Sequence, residues 1–147
     1  MKIGICSDHR GVYLKSSLIE YLDHAGYGVV DYGTDTSDSV DFPDYAFKLG
    51  NGIKNEEVDL GIAICGTGIG MSIALNKMNG IYCAKISNIS EAVLCKRHNN
   101  ANVIAISADI DEEQSKSMVE KFISTPFSGE DKYVKRNKMI RDQEENG

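Results

Sequence analysis

The sequence predicts an α/β fold: a doubly wound, three-layer αβα sandwich around a five-stranded parallel sheet. Three observations predict it. Five short apolar runs alternate with segments of helical periodicity. The runs are apolar almost throughout, as strands covered on both faces require. The chain has 147 residues, the length of one domain, so 1–147 reads as a single unit.

Residues 2–6 (KIGIC) fit a buried first strand. Residues 12–25 place Leu14, Leu18, Leu22 and Ala25 at helical spacing, and Gly26 and Gly28 supply the stop. Residues 28–32 (GVVDY) form a second strand. Asp41 followed by Pro43 reads as the N-cap and early proline of a helix running to about Lys54. Residues 58–64 (VDLGIAI) carry the strongest strand signal; 69–78 follow as a helix and 80–86 as a strand. Residues 89–97 read as a helix and 102–107 (NVIAIS) as the fifth strand. Asp111 caps a helix with Met118, Val119, Phe122 and Ile123 on one face, and a charged helix occupies about 131–145. In such sheets ligands bind beyond the carboxyl ends of the strands.

Composition excludes several function classes. A net charge of −6 opposes non-specific binding to nucleic acid. No apolar run approaches the roughly 18 residues of a membrane span, and the start, MKIGICSDHRG, reaches charge too early for a secretory signal. Cys6, Cys65, Cys83 and Cys95 form no C-x-x-C pair, and three of them sit in apolar runs, which suits a reducing cytoplasm. Three histidines and scattered carboxylates show no metal-ligand spacing, so no metal is expected.

The reactive residues collect near strand ends. Ser7-Asp8-His9-Arg10-Gly11 follows the first strand and Cys65-Gly66-Thr67-Gly68-Ile69-Gly70 the third. Glycines at alternate positions let a backbone approach a ligand closely, and the helix that follows offers unpaired amides and a positive dipole end. Such a turn can hold a phosphate or a developing oxyanion. Cysteine at a helix start is suited to thiolate chemistry, which makes Cys65 a candidate general base. The structural alternative is a plain glycine-rich turn with an inert cysteine. A dinucleotide site is disfavoured: the spacing is G-x-G-x-G, no acidic residue lies near position 86, and the third strand carries the turn. A Walker loop lacks its Gly-Lys-Ser/Thr.

Asp8-His9 pairs a carboxylate with an imidazole, although Asp8 could equally cap the next helix. His98-Asn99-Asn100 precedes the fifth strand rather than following one, so it could serve a neighbouring subunit's site. Lys132, Lys135, Arg136 and Lys138 form a basic stretch among acidic neighbours: a solvated helix, or a source of one or two phosphate-binding cations.

Taken together and in order, Asp8-His9, the Cys65–Gly70 turn, Asn76-Lys77 and His98-Asn99 resemble the type B ribose-5-phosphate isomerase family, which includes galactose-6-phosphate isomerase subunits. The resemblance runs from Met1 to about Arg141. It implies a Rossmann-like or flavodoxin-like sandwich without a nucleotide, and a metal-free, cofactor-free aldose–ketose isomerisation through an enediolate. It implies that Cys65 moves the proton between carbons 1 and 2, and that Thr67 and the amides of Gly66, Gly68, Ile69 and Gly70 stabilise the enediolate. It assigns ring opening to His98, the ring oxygen or a hydroxyl to Asp8, substrate hydroxyls to Asn99, and phosphate to His9 and Arg136. It also implies a homodimer or homotetramer whose site is shared, with His98 and Asn99 from the partner.

The chain departs from the family pattern in two places. Family members commonly carry a phosphate-holding arginine at position 109; Asp109 would repel a dianion unless it turns away to cap the next helix. The usual C-terminal Gly-Gly-Arg-His is blurred to Ser128-Gly129-Glu130-Asp131-Lys132-Tyr133, so Lys132 replaces one arginine and loses its bidentate geometry. The expected substrate is ribose 5-phosphate. The alternatives are another sugar phosphate (galactose 6-phosphate, allose 6-phosphate or a four-carbon sugar phosphate) or a non-catalytic phosphosugar-binding module.

Overall fold

The five apolar runs fold into one all-parallel sheet in a computed structural model that describes residues 1–147. The strands are β1 (Lys2–Ser7), β2 (Gly28–Asp31), β3 (Leu60–Cys65), β4 (Cys83–Lys85) and β5 (Val103–Ser107), in the order β2-β1-β3-β5-β4. The helices are α1 (Val12–His24), α2 (Phe42–Lys54), α3 (Ile69–Asn76), α4 (Ile89–Asn99), α5 (Glu112–Ser124) and α6 (Asp131–Asn146). A 3₁₀ turn over His9–Gly11 leads into α1.

The two faces of the sheet differ in side-chain size. On one face Ile3, Ile5, Ile62, Ile64, Ile104 and Ile106 meet Leu14, Leu18 and Leu22 of α1 and Met118, Val119 and Phe122 of α5. On the other, the small residues Cys6, Ala63, Cys65 and Ala105 lie under Ala46 and Leu49 of α2 and Met71 and Leu75 of α3. That face also carries Gly4, where an added Cβ would sit 2.8 Å from Leu49. Small strand residues therefore let α2 lie close to the sheet, and they put Cys65 under the α2–α3 layer. The register sets Ser7 beside Ile64 and Cys65 beside Ser107. The carboxyl ends of β1, β3 and β5 are thus level.

The element boundaries differ from the sequence reading in three instructive ways. The strand expected over 80–86 is reduced to Cys83–Lys85. Asparagine side chains replace the missing ladder: Asn76 exchanges two hydrogen bonds with the Cys83 backbone, both 2.8 Å, and Asn102 accepts from Tyr82 N at 2.8 Å and donates to Gly80 O at 2.9 Å. The helix expected to stop at 97 continues through His98 and Asn99, and Asn100 ends it in the left-handed conformation. Asp41 precedes α2 as expected but makes no capping hydrogen bond, whereas Asn88 and Asp111 accept from Glu91 N and Gln114 N.

One buried charge ties α1 to the end of β2. Lys15 is 2% exposed and its Nζ lies 2.6 Å from Asp31 Oδ2. Removing only the acid leaves a desolvated ammonium, so Asp31→Ala is expected to cost about 1–3 kcal/mol in urea unfolding. Adding Lys15→Met should recover most of that loss; additive losses in the double variant would contradict this account of the pair.

Candidate active site

The turn from β3 into α3 is fixed by backbone sterics. Gly68 has φ +83°, and a Cβ there would lie 3.0–3.2 Å from the Ile106 backbone of the neighbouring strand. Only glycine satisfies both conditions without strain. Gly70 is pressed on the Phe42 ring, where a Cβ would come within 2.7 Å. Ser107 Oγ donates to Gly66 O at 2.8 Å and Ala108 N donates to Cys65 O at 2.8 Å, so β5 holds the turn from the side. Sequence spacing gives no sign of this role for Ser107.

Within that turn the donors divide. Gly68 N donates to Cys65 Sγ at 3.2 Å and Ile69 N donates to Thr67 Oγ1 at 3.1 Å. The amides of Gly66, Thr67, Gly70 and Met71 meet no protein acceptor. Of the amides expected to face a ligand, those of Gly68 and Ile69 are therefore already engaged, and the open set includes Met71, the first-turn donor beyond the motif. Cys65 is 5% exposed. Its sulfur accepts from Gly68 N, whereas the Cys95 sulfur donates to Ala92 O at 3.3 Å. Burial pushes the Cys6 thiol up strongly, Cys83 up to about 12 and Cys95 up to about 11. Those three stay protonated at neutral pH.

Asp8 and His9 stand beside this turn, since Asp8 N donates to Ile64 O at 3.0 Å. Asp8 does cap: its Oδ1 accepts from Arg10 N at 2.9 Å and Gly11 N at 3.2 Å. Its second oxygen has no protein partner and remains available. His9 Nδ1 accepts from Val40 N at 3.2 Å, which leaves Nε2 to carry the ring proton in the neutral form. Asp109 neither turns away to cap α5, a role taken by Asp111, nor presents a free charge. Its carboxylate accepts from Arg10 Nη2 at 3.1 and 3.3 Å.

The remaining expected residues form a second group elsewhere. His98 and Asn99 end α4, just before β5 begins, whereas Cys65 pairs with the last residue of β5. Four strand steps of about 3.3 Å put the two groups roughly 13 Å apart along the sheet. His98 stacks on Tyr133 of α6, with centroids 4.4 Å apart and planes 16° from parallel. Lys132 Nζ lies 4.9 Å and Arg136 Cζ 6.0 Å from the Tyr133 ring centroid. Tyr133 organises the group, and its place between Lys132 and Arg136 is the one sequence signal for it. One chain thus brings together Asp8, His9 and Cys65–Gly70, and separately His98, Asn99, Lys132 and Arg136. No cavity on the single chain has Cys65 in its wall. No three His, Cys, Asp or Glu side chains converge as a metal site.

A family model described as Ribose/Galactose Isomerase matches residues 3–140. The chain belongs to the ribose/galactose isomerase family. Ribose-5-phosphate isomerase B of Escherichia coli is 38% identical over 129 residues, 87% of each chain. The solved structure of Clostridium thermocellum ribose-5-phosphate isomerase B superposes with a TM-score of 0.96, at 38% identity and 99% coverage of both chains. That of Mycoplasma genitalium ribose-5-phosphate isomerase B, with ribulose 5-phosphate bound, superposes with a TM-score of 0.94, at 34% identity and coverage of 99% and 97%. The chain is a sugar-phosphate isomerase of this family, and its sheet and helices are the family's.

Two outcomes test the family turn as built here. Gly68→Ala is expected to lower stability by about 1–3 kcal/mol in urea unfolding, because it forces a side chain into the left-handed region against Ile106. A stability within ~0.5 kcal/mol of wild type, the range of neutral surface changes, would contradict the steric argument. Limited iodoacetamide at pH 8, read by peptide mapping, is expected to modify Cys65 ahead of Cys6, Cys83 and Cys95. Earlier modification of any of those three would contradict the separation of the thiols.

Proposed function

We propose that the chain interconverts ribose 5-phosphate and ribulose 5-phosphate through an enediolate, without metal or cofactor, as a cytoplasmic homodimer or homotetramer with shared sites. The observation that carries the chemistry is the Cys65 sulfur, held by one amide at the entrance of a turn whose neighbouring amides are open. Isomerisation needs one group that removes and returns a proton, and donors for the oxygens that gain charge. Cys65, as thiolate, takes the proton from carbon 2, and the electron pair moves into the enediolate. The thiol then returns a proton to carbon 1, while the hydroxyl proton passes from oxygen 2 to oxygen 1. The Thr67 hydroxyl and the open amides of Gly66, Thr67 and Gly70 hold the developing charge. The free oxygen of Asp8 accepts from a substrate hydroxyl or steadies the ring oxygen.

His98 opens the furanose ring, Asn99 binds hydroxyls, and His9, Lys132 and Arg136 bind the phosphate. These residues serve one reaction only if a second copy supplies the His98 group to the Cys65 group. Exposed apolar side chains support such a copy. Ile69 and Ile73 on α3, and Val134, Met139 and Ile140 on α6, stand in solvent on the single chain. α6 buries none of its residues, and a cavity of about 320 Å³ separates Asn137 and Ile140 from the β4 edge. No helix is long and apolar enough to cross a membrane.

The ribulose 5-phosphate bound to the M. genitalium enzyme favours a pentose substrate. Galactose, in the name of the family, supplies the alternative. Turnover on a panel of five- and six-carbon aldose phosphates, without added metal, is expected to be fastest with ribose 5-phosphate. Cys65→Ala is expected to lower kcat about 10²–10⁴-fold with its fold intact, and near-normal turnover would refute the cysteine base. His98→Asn should slow cyclic substrates more than one that cannot cyclise; equal losses would remove the ring-opening role. Sedimentation equilibrium is expected to report two or four chains, and a monomer at assay concentration would contradict the shared site.

A further inference from the structure

Arg10 follows Asp8-His9 in the sequence, and neither spacing nor the family resemblance gives it a role. Its side chain nevertheless reaches from the end of β1 over the Cys65 turn to the end of β5. Nη2 meets both oxygens of Asp109 at 3.1 and 3.3 Å. Nη1 lies against Gly66, where an added Cβ would be 2.7 Å from it. Asp109 is anchored in turn: its amide donates to Ser107 Oγ at 3.1 Å, and that hydroxyl donates to Gly66 O at 2.8 Å. Arg10, Asp109, Ser107 and Gly66 thus form a closed loop of contacts around the turn.

Two features point to a ligand rather than to stability. The pair is exposed, at 52% for the Arg10 side chain and 71% for Asp109, and exposed pairs contribute little to folding. The Asp109 contact engages only Nη2 of a guanidinium with five N–H donors, so Nε and Nη1 keep donors for another partner. The surface they overlook is the one with open amides at Gly66, Thr67, Gly70 and Met71, at the positive end of α3. Arg10 is also the only arginine at this end of the sheet; Arg97 lies in α4 near His98, and Arg136 and Arg141 lie in α6.

We propose that Arg10 binds the substrate's phosphate from the same subunit as Cys65, and that Asp109 is a positioning residue that holds the guanidinium across the turn. An acidic residue beside an anion site is then not a defect. Pairing fixes the long arginine side chain in advance, so less conformational freedom is lost when the phosphate arrives. The guanidinium presents a planar fork, the geometry in which arginine binds phosphate through two parallel donors. This proposal rests on the sugar-phosphate reading of the site, and its test is built to fail separately from that reading.

The test measures inorganic phosphate binding by calorimetry, and ribose 5-phosphate kinetics, in wild type and four variants of the full chain. Arg10→Ala is expected to weaken inorganic phosphate and raise KM for ribose 5-phosphate by about tenfold to a hundredfold, the loss of a charged hydrogen-bonded contact. Arg10→Lys should fall between Arg10→Ala and wild type. Asp109→Ala should raise KM by less than Arg10→Ala. The double variant Arg10→Ala/Asp109→Ala should match Arg10→Ala alone, because Asp109 acts through Arg10. Phosphate binding and KM within twofold of wild type in Arg10→Ala would overturn the proposal. So would tighter binding in Asp109→Ala, which would make Asp109 a repelling charge and not a positioning one. Arg10-dependent phosphate binding in a wild-type protein that turns over no sugar phosphate would support the anion site and sink the isomerase reading alone.

Discussion

The contact on which the site depends is the approach of Gly68 to the Ile106 backbone. A left-handed residue must stand there for β3 to turn sharply into α3, and no side chain fits between it and β5. That turn aims Gly68 N at Cys65 Sγ and leaves the flanking amides without acceptors. The register of β3 on β5 then brings Ser107 to Gly66 and Asp109 to Arg10. The Cys65 sulfur, the open amides and the Arg10 guanidinium are placed together by one steric arrangement at the centre of the sheet. The small-residue face of the sheet serves the same end, because it lets α2 set the Phe42 ring against Gly70.

The second constraint is topological. Chain reversal through α4 carries His98 and Asn99 to the end of the sheet opposite Cys65. Nothing within one chain can bring them back, since the strands between are fixed in register. The stack of His98 on Tyr133, flanked by Lys132 and Arg136, makes a compact unit that a second copy can deliver whole. In the proposed shared site, the His98 group of one subunit would meet the Cys65 turn of another, and catalysis would require assembly.

Much of this was legible in the sequence, and the reasons are physical. Apolar runs such as LGIAIC and VIAIS have to be buried on both faces, so the sheet could be read directly. The Cys65–Gly70 turn was legible because alternate glycines have few other uses. The shortened β4 was not legible: apolar content says nothing of Asn76 and Asn102 taking over its hydrogen bonds. Nor was the length of α4, whose last residues differ little in propensity from loop residues. Asp109 alone suggested repulsion of an anion. Its pairing with Arg10 joins residues 99 positions apart, and only the strand order brings them together.

The central claim is that Cys65 of one subunit works with His98 of another. It is tested most directly by mixing Cys65→Ala and His98→Asn chains, each impaired alone, and allowing subunits to exchange by unfolding and refolding together. In a mixed dimer one site carries both changes and the other carries neither. With random pairing, roughly a quarter of wild-type activity is expected to return. A mixture no more active than the sum of its two components, with mixed dimers verified by mass, would contradict the shared site.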